Sequence, residues 1–228
     1  MRAPLSIVIP TLNAADALGP TLAALMEGVE AGVVRELVMC DGGSQDDTVT
    51  LGEAAGANVV QAAPGRGGQL AHGAGATQGE WLLFLHADTQ LAPGWANAVQ
   101  AHMAGGDARA GYFRLRFRAK GFGARWVAGW ANLRSRLLGL PYGDQGLLVS
   151  RRLYDAVGGY ADIPLMEDVA IARALAGRIV AIDANALTGA ERFSRGGWFR
   201  GGARNLLTLA KYFIGVSPQK LAQSYQRR

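Results

Sequence analysis

The stretch Trp81-Leu82-Leu83-Phe84-Leu85-His86-Ala87-Asp88 decides the fold class of this chain. Its first five residues are all apolar, which is typical of a strand buried on both faces of a parallel sheet. The stretch ends on a carboxylate, which is costly to bury unless it is solvated or paired with a cation. We therefore predict that Asp88 holds a divalent metal that bridges phosphate oxygens, the structural alternative being a helix N-cap or a turn residue. His86 lies two residues earlier, on the same side of an extended chain, so it is either a second ligand or an orienting residue.

Strand and helix patterns alternate upstream of this stretch. Strands are predicted over 5–10, 36–40 and 57–61, and helices over 18–26, 48–55 and from the loop at 64–68 to about residue 77. This alternation predicts an α/β fold with a mostly parallel sheet flanked by helices on both faces. The loops that follow the strands contain Thr11, Asp41, Arg66 and Asp88. Right-handed crossovers bring such loops to one edge of the sheet, where open α/β sheets bind ligands.

The pattern changes after Pro93. A half-exposed strand is predicted over 113–118, a helix with an apolar stripe over 124–138, a short strand over 146–150 and a helix over 166–175. A basic helix that carries aromatic residues is predicted over 198–214. No linker in the sequence is long enough to separate two independent domains.

Composition and charge place the protein in a broad class. The chain has 228 residues, 50% of them apolar, and a single cysteine, which excludes an internal disulfide and favours a reducing compartment. No signal region and no apolar run of about 18 residues is present, so we expect a cytoplasmic protein. Residues 191–228 carry a net charge of +7, whereas the whole chain carries +5. The basic tail indicates contact with phosphates or with an anionic membrane surface, or else a solvated helix face.

Three motifs could carry chemistry, and each has a structural alternative. Asp41 opens a Gly-rich turn and could accept a hydrogen bond from a nucleobase, although such a turn is also an ordinary strand-to-helix connection. The loop around Arg66 could bind phosphate, but it matches neither the dinucleotide fingerprint nor the P-loop. Glu167 and Asp168 start a helix, where acids commonly act as caps; the functional alternative is a general base.

These motifs, in this order, resemble glycosyltransferase family 2, an inverting family with the GT-A fold. The resemblance rests on residues 6–13, 38–44, 85–89 and 166–168, and it spans roughly residues 5–175. The sequences at 86–89, 143–146 and 192–198 look like a small bacterial subgroup that is often labelled arsenosugar-biosynthesis glycosyltransferases. The resemblance implies a GT-A domain over 1–190, with a nucleotide-binding half (1–92) and an acceptor half (93–190), followed by a basic helical tail (191–228).

The resemblance also implies roles for individual residues. The donor-binding residues would be Pro10, Thr11, Asn13, Asp41, Arg66, Ala87 and Asp88. Asp168, beside Glu167, would be the general base that deprotonates the acceptor hydroxyl. Asp144 and Gln145 would lie on the acceptor side, and Arg192 and Arg195 would bind the diphosphate or close a loop over it. The metal, Mn²⁺ or Mg²⁺, would be bound by Asp88 and His86.

The chain departs from the family pattern at the metal motif. The first acid of the family's Asp-x-Asp is replaced by His86, which leaves the identity of the metal open. The expected reaction is transfer of a sugar from a UDP- or GDP-linked donor to an unknown hydroxyl acceptor, with inversion and without a nucleic-acid partner. Two alternatives stay open: a nucleotidyltransferase on a similar sheet, and a non-catalytic protein that binds nucleotides or a membrane surface through its tail.

Overall fold

The computed structural model describes residues 3–119, 121–189 and 197–226. Strands β1 to β8 cover Leu5–Thr11, Val34–Asp41, Asn58–Gln61, Trp81–Phe84, Thr89–Leu91, Ala110–Phe117, Leu147–Ser150 and Ile179–Thr188. Helices α1 to α9 cover Ala15–Glu30, Thr48–Ala54, Arg66–Gly75, Trp95–Ala104, Phe122–Leu138, Arg151–Ala156, Glu167–Ala174, Trp198–Phe213 and Pro218–Gln226. A short 3-10 helix covers Gly143–Gln145.

The strands form one mixed sheet with a parallel half. Within the described ranges the order is β3-β2-β1-β4-β7-β6-β8-β5. Strands β1 to β4 are parallel to one another, as the strand–helix alternation predicts. The pairing of β7 with β4 is antiparallel, so the sheet changes direction between them. The α/β expectation is confirmed, and each antiparallel pairing involves β7 or β8 from the second half of the chain.

Helices cover both faces of the sheet, which explains the uninterrupted apolar run in β4. Leu83 packs in a cluster with residues of α1 and α4, including Leu18 and Trp95. Phe84 points to the other face and packs with residues of α3 and α6, including Leu70 and Leu153. Successive strand residues therefore both lie in apolar surroundings.

Strands β5 and β8 and helices α4 and α6 were not predicted from the sequence. Strand β8 is ten residues long, but its buried positions include Ala184 and Ala186, and alanine is depleted in strands. The three residues of β5 are too few for a periodic pattern. These elements form because β8 pairs with β6 and β5 pairs with β8.

Helix α5 exposes the apolar stripe that its sequence predicts. The large apolar side chains on this stripe are 42% to 68% exposed: Trp126, Trp130, Leu133, Leu137 and Leu138. The helix packs against β6 and against α8 of the basic tail. Asn132 fixes it to β6, because its side chain bonds both the N–H and the carbonyl of Leu115, at 2.8 and 3.0 Å. No helix within the described ranges has the length and apolar character that a bilayer crossing requires.

Candidate active site

A cluster of three metal-ligating side chains lies where the two halves of the sheet meet. His86 and Asp88 follow β4, and Asp144 lies in the 3-10 helix that precedes β7. Because β4 and β7 are paired, with Phe84 opposite Leu147, these segments lie side by side. One ligand atom from each of the three lies within 4.8 Å of the others, and all three side chains are half-buried.

The chemistry of this cluster suits a divalent ion that accepts both nitrogen and oxygen. His86 Nδ1 lies 2.7 Å from Asp144 Oδ1. A carboxylate beside a ligating imidazole fixes the ring and its tautomer, an arrangement common around bound metals. Two carboxylates with one imidazole fit Mn²⁺ better than Mg²⁺, which prefers oxygen ligands throughout. The residues present therefore fit such a metal, and Asp144, assigned to the acceptor side from the sequence, belongs to the same cluster as Asp88.

Gly143 makes room for the imidazole of His86 in the cluster. A Cβ atom at this position would lie 2.5 Å from His86 Nε2, so only glycine lets the imidazole pack against the backbone. The Gly143 N–H donates to Asp168 Oδ2 at 3.1 Å. This one residue therefore contacts both the imidazole and the predicted general base.

Glu167 and Asp168 begin α7, but their surroundings differ. Glu167 is 2% exposed, and its Oε1 lies 3.3 Å from Arg66 Nη1. Burial raises the pKa of Glu167, the Asp168 carboxylate adds to this, and Arg66 only partly opposes it. Asp168 is half-buried and accepts hydrogen bonds from the N–H groups of Gly143 and Val169, at 3.1 and 2.8 Å. Asp168 is therefore the more accessible of the two acids.

The backbone just before these acids is strained. Met166 has φ +68°, a left-handed conformation that is uncommon for residues other than glycine and costs about 1–3 kcal/mol. Its side chain is held by packing with Leu140, Val169 and Leu209. The packing of α7 and α8 thus fixes the direction in which the two acids point.

Arg66 lies among the acids. Its side chain is 41% exposed. Partial burial lowers the pKa of the guanidinium, but the carboxylates of Glu167, Asp144 and Asp168 together outweigh this and raise it. Arg66 therefore stays charged and balances the negative charge of the two acids at the start of α7.

A cavity of about 430 Å³ opens over these residues. Its polar side is lined by residues of the metal cluster, by both acids and by three arginines: Arg66, His86, Arg134, Asp144, Glu167, Asp168 and Arg204. Its apolar walls come from β6, α5 and α8 and include Phe117, Trp126, Trp130 and Leu209. The arrangement offers a carboxylate to a hydroxyl group inside a largely apolar pocket.

The predicted donor loops lie together at the ends of β1 and β2. Asp41 is 1% exposed and accepts four hydrogen bonds: from Thr11 Oγ1, from Ser44 Oγ and from the N–H groups of Gly43 and Ser44, at 2.6 to 3.0 Å. Burial opposes ionisation, but these hydrogen bonds outweigh it and lower the pKa of Asp41. The carboxylate therefore fixes the shape of the loop.

Asn13 joins the two loops from the other side. Its Oδ1 accepts from the Gln45 N–H at 2.8 Å, and its own N–H donates to Ser44 Oγ at 2.8 Å. Its φ is +48°, which asparagine tolerates better than most residues. Asn13 and Asp41 thus hold one rigid surface made of two loops.

Other predicted residues are placed as follows. Pro10 lies in β1 opposite Cys40 of β2. The carbonyl of Ala87 accepts from Thr21 Oγ1 at 2.8 Å. Gln145 is fully buried, bonds Phe113, Tyr142 and Ser135 through its amide group and does not line the cavity. Arg192 and Arg195 lie outside the described residues.

The glycines beside Arg66 serve packing. A Cβ atom on Gly67 would lie 2.3 Å from the carbonyl oxygen of Ala161, and one on Gly68 would lie 2.6 Å from Asp162 Oδ1. The start of α3 is therefore covered by the segment around residues 161–163. This contact explains the glycines without the bound phosphate that the sequence analysis considered.

Arg134 and Tyr142 were not singled out from the sequence, although both line the cavity. Arg134 falls at helical spacing from Val127 and Ala131, on the buried side of α5. A charged residue in such a position is rare unless it is paired. That spacing was the signal that could have identified it.

The chain resembles known glycosyltransferases in sequence and in structure. The family model described as Glycosyl transferase family 2 matches residues 6–154. The glucosyl-3-phosphoglycerate synthase of Mycolicibacterium paratuberculosis is 33% identical over 93 residues, which cover 37% of this chain and 28% of the relative. The Mycolicibacterium smegmatis enzyme of that name is 35% identical over 92 residues, 36% of this chain and 30% of the relative. The chain thus spans less than a third of the length of the curated relatives it matches.

Solved structures share the fold. The Mycobacterium tuberculosis glucosyl-3-phosphoglycerate synthase in complex with Mn²⁺, UDP and glucosyl-3-phosphoglycerate superposes with a TM-score of 0.59 and 21% identity, over 90% of this chain and 79% of the other. S. aureus TarS 1–349 in complex with UDP-GlcNAc superposes with a TM-score of 0.61 and 16% identity, over 82% of this chain and 58% of the other. The GT-A fold is therefore confirmed. Since the family model covers more than half of the sequence, the chain belongs to glycosyl transferase family 2.

Proposed function

We propose that the protein transfers a sugar from a UDP- or GDP-linked donor to an acceptor hydroxyl, with inversion at the anomeric carbon. One observation carries this proposal: Asp168 lines the cavity and is held by the residue that precedes Asp144 of the metal cluster. A base, a cation site and a space for the acceptor are thus adjacent. Relatives named glucosyl-3-phosphoglycerate synthase, one of them solved with Mn²⁺ and UDP, support the same donor class.

The two halves of the chain are proposed to bind the nucleotide and the acceptor separately. Residues 1–92 would bind the nucleotide on the rigid loop pair that contains Asn13 and Asp41. Residues 93–190 would bind the acceptor in the cavity, with the tail from residue 191 closing it through α8. His86, Asp88 and Asp144 would hold the divalent metal, which when bound offsets the charge of the leaving diphosphate.

In the proposed step, Asp168 takes the proton of the acceptor hydroxyl while that oxygen bonds to the anomeric carbon. The bond from that carbon to the nucleoside diphosphate breaks on the opposite side, so the configuration inverts. Glu167 is paired with Arg66 and stays beside the base as a positioning residue. The apolar walls of the cavity keep water away from the reacting carbon.

The experiment is a panel of UDP- and GDP-linked sugars with Mn²⁺, in which release of nucleoside diphosphate is measured with and without candidate acceptors. Release from one donor supports the proposal. If no donor releases nucleoside diphosphate and UDP and GDP fail to bind, the proposal is wrong. Release of pyrophosphate from a nucleoside triphosphate would favour the nucleotidyltransferase alternative instead.

We also propose that the protein is cytoplasmic and contacts the inner face of the membrane. Leu137 and Leu138 of α5 and Leu207 of α8 are 57% to 68% exposed. Arg136 and Lys211 are exposed on the same two helices. Apolar side chains interspersed with basic ones suit the interface of an anionic bilayer. Trp126 and Trp130 are exposed and also line the cavity, so a membrane on this face would lie close to its opening.

Within the family, we place the chain in the bacterial subgroup labelled arsenosugar-biosynthesis glycosyltransferases. This placement is supported by the motifs at residues 86–89 and 143–146, which hold His86 and Asp144 of the metal cluster. Transfer to an arsenic-containing acceptor would support it. Activity restricted to acceptors without arsenic would contradict it.

A further inference from the structure

Arg134 is a buried arginine on the inner side of α5. The side chain is 4% exposed, and its three nitrogen atoms have no hydrogen-bond partner among the described residues. Within that part of the chain, no carboxylate lies within ion-pair distance of it either. A buried charge without hydrogen bonds is unfavourable, and the nearby Tyr142 and Asp168 compensate only part of the cost of burial.

The position of Arg134 gives a reason. The guanidinium carbon lies 3.4 Å above the centre of the Tyr142 ring, and both residues line the cavity that contains Asp168. Stacking on the ring orients the flat face of the guanidinium and leaves the N–H groups at its edge without acceptors. Those groups form a planar fork that matches the two oxygens of a carboxylate or phosphate.

Arg204 lines the cavity as well as Arg66, but three acids lie in the same wall, which favours a fork with free donors as the binding group for an anion. Arg66 is paired with Glu167, and its field is balanced by the acids around it. Asp144 and Asp168 add further negative charge to the wall. An anion that approached this wall would be repelled unless a cation with free donors received it.

We infer that Arg134 binds an oxyanion, a carboxylate or phosphate, that the acceptor carries beside the hydroxyl to be glycosylated. The inference rests on the proposed function, because Asp168 fixes where that hydroxyl lies. The nitrogen atoms of Arg134 are closed off from solvent, so a side chain of the cavity wall would have to move for the anion to reach them. The apolar walls around Trp126 and Trp130 would contact the carbon part of the same molecule.

The first experiment measures the binding of sulfate by calorimetry, with UDP and Mn²⁺ at saturation and the ionic strength held constant with chloride. Arg134→Met is compared with Arg136→Gln, which removes a charge from the exposed side of the same helix. We expect the first change to weaken sulfate binding at least about tenfold and the second to leave it within about twofold. Equal binding by the wild type and Arg134→Met overturns the inference.

Folding is checked in the same variants. Since the guanidinium has no partner in the described part of the chain, Arg134→Met should keep the wild-type Tm or raise it, whereas a structural role predicts a lower Tm. Arg134→Lys keeps the charge and loses the fork, so intermediate sulfate binding is expected. Sulfate binding as tight in Arg134→Lys as in the wild type would overturn the bidentate contact.

The second experiment identifies the source of the oxyanion with matched acceptors. Glycerol and glycerol 3-phosphate are compared in solution, and diacylglycerol and phosphatidylglycerol are compared in vesicles. Preference for glycerol 3-phosphate indicates a soluble acceptor, and preference for phosphatidylglycerol indicates a lipid; Arg134→Met should lose either preference. A wild type with the same preference as Arg134→Met overturns the inference. If the wild type does not bind UDP, the proposed function is contradicted instead. Sulfate binding by the wild type and by Arg134→Met is then compared without UDP.

Discussion

The backbone N–H of Gly143 donates a 3.1 Å hydrogen bond to Asp168 Oδ2, so the loop that carries Asp144 is tied directly to the proposed base. The two residues are 25 positions apart in the sequence and belong to the 3-10 helix and to α7. The segment that holds Asp144 of the metal cluster and the proposed base are therefore joined by one hydrogen bond.

Replacing the proposed base tests its role most directly. Asp168→Asn should lower the rate of transfer by about 10²–10⁴-fold, because the amide takes no proton from the acceptor hydroxyl. UDP binding should stay close to the wild-type value, since the donor loops are elsewhere in the sheet. Asp155→Asn, an exposed acid in the same half of the chain, is the control. Unchanged turnover in Asp168→Asn would remove this residue from the mechanism.

Gly143→Ala tests the metal cluster without removing a ligand. The new methyl group would lie 2.5 Å from His86 Nε2, so the imidazole must move. We expect Mn²⁺ affinity, measured by electron paramagnetic resonance, to fall by about 10–100-fold. Gly129→Ala is the control, because a Cβ atom there meets nothing within 4 Å. The same Mn²⁺ affinity in both variants would show that His86 takes no part in binding.

The pKa of Glu167 is raised, so its effect on stability depends on pH. A raised folded pKa means that the native state binds the proton more tightly than the unfolded state. The stabilisation is complete below the ordinary value of 4.5 and is lost as the pH rises through the folded pKa. Glu167→Gln should therefore gain stability relative to the wild type between pH 4.5 and 8. A difference in unfolding free energy that is constant over this range, measured by denaturant titration, would contradict the assignment.

The Asp41 carboxylate should behave in the opposite way. Its pKa is lowered, so its contribution to stability is present above the unfolded value and is lost as the pH falls through the folded pKa. Asp41→Ala leaves the Gly43 and Ser44 N–H groups without an acceptor and should cost about 1–3 kcal/mol at neutral pH. Asp47→Ala is a suitable control, because Asp47 is exposed and makes no cap hydrogen bond. Equal losses in the two variants would mean that the loop does not depend on Asp41.

Membrane contact is tested by placing a charge on the exposed apolar surface. Leu137→Asp and Leu207→Asp should each reduce co-flotation with anionic liposomes at low salt, because a carboxylate resists insertion and is repelled by the lipids. Met26→Asp, at a 50% exposed position on α1, should float like the wild type. A wild type that stays at the bottom of the gradient rejects membrane association outright.

The sequence predicted the parallel half of the fold well and the acceptor half less completely. Residues such as Val8 and Phe84 lie in strands whose two faces are buried, so their apolar runs are unambiguous. Strand β8 was not predicted, because its inward residues include Ala184 and Ala186. It forms a strand through its pairing with β6. Its position depends on contacts between distant segments, which local patterns do not record.

The candidate site was likewise predicted only in part from the sequence. Asp88 was predicted because an acid at the end of a buried strand is costly without a cation, whereas Asp168 was assigned as the base from the family resemblance, since an acid at the start of a helix is also an ordinary cap. The membership of Asp144 in the metal cluster depends on the antiparallel pairing of β4 with β7, which no local pattern records. Gln145 was expected with Asp144 on the acceptor side, yet the short 3-10 helix places it in the core.

Arg134 has a consequence for laboratory evolution. A library screened only for heat resistance would favour clones that replace this buried guanidinium, which has no hydrogen-bond partner among the described residues, with an apolar side chain. A library screened for turnover would keep it. The surviving clones of the two screens should therefore differ at residue 134. Sequencing them would show whether the acceptor requires Arg134 before the acceptor itself is known.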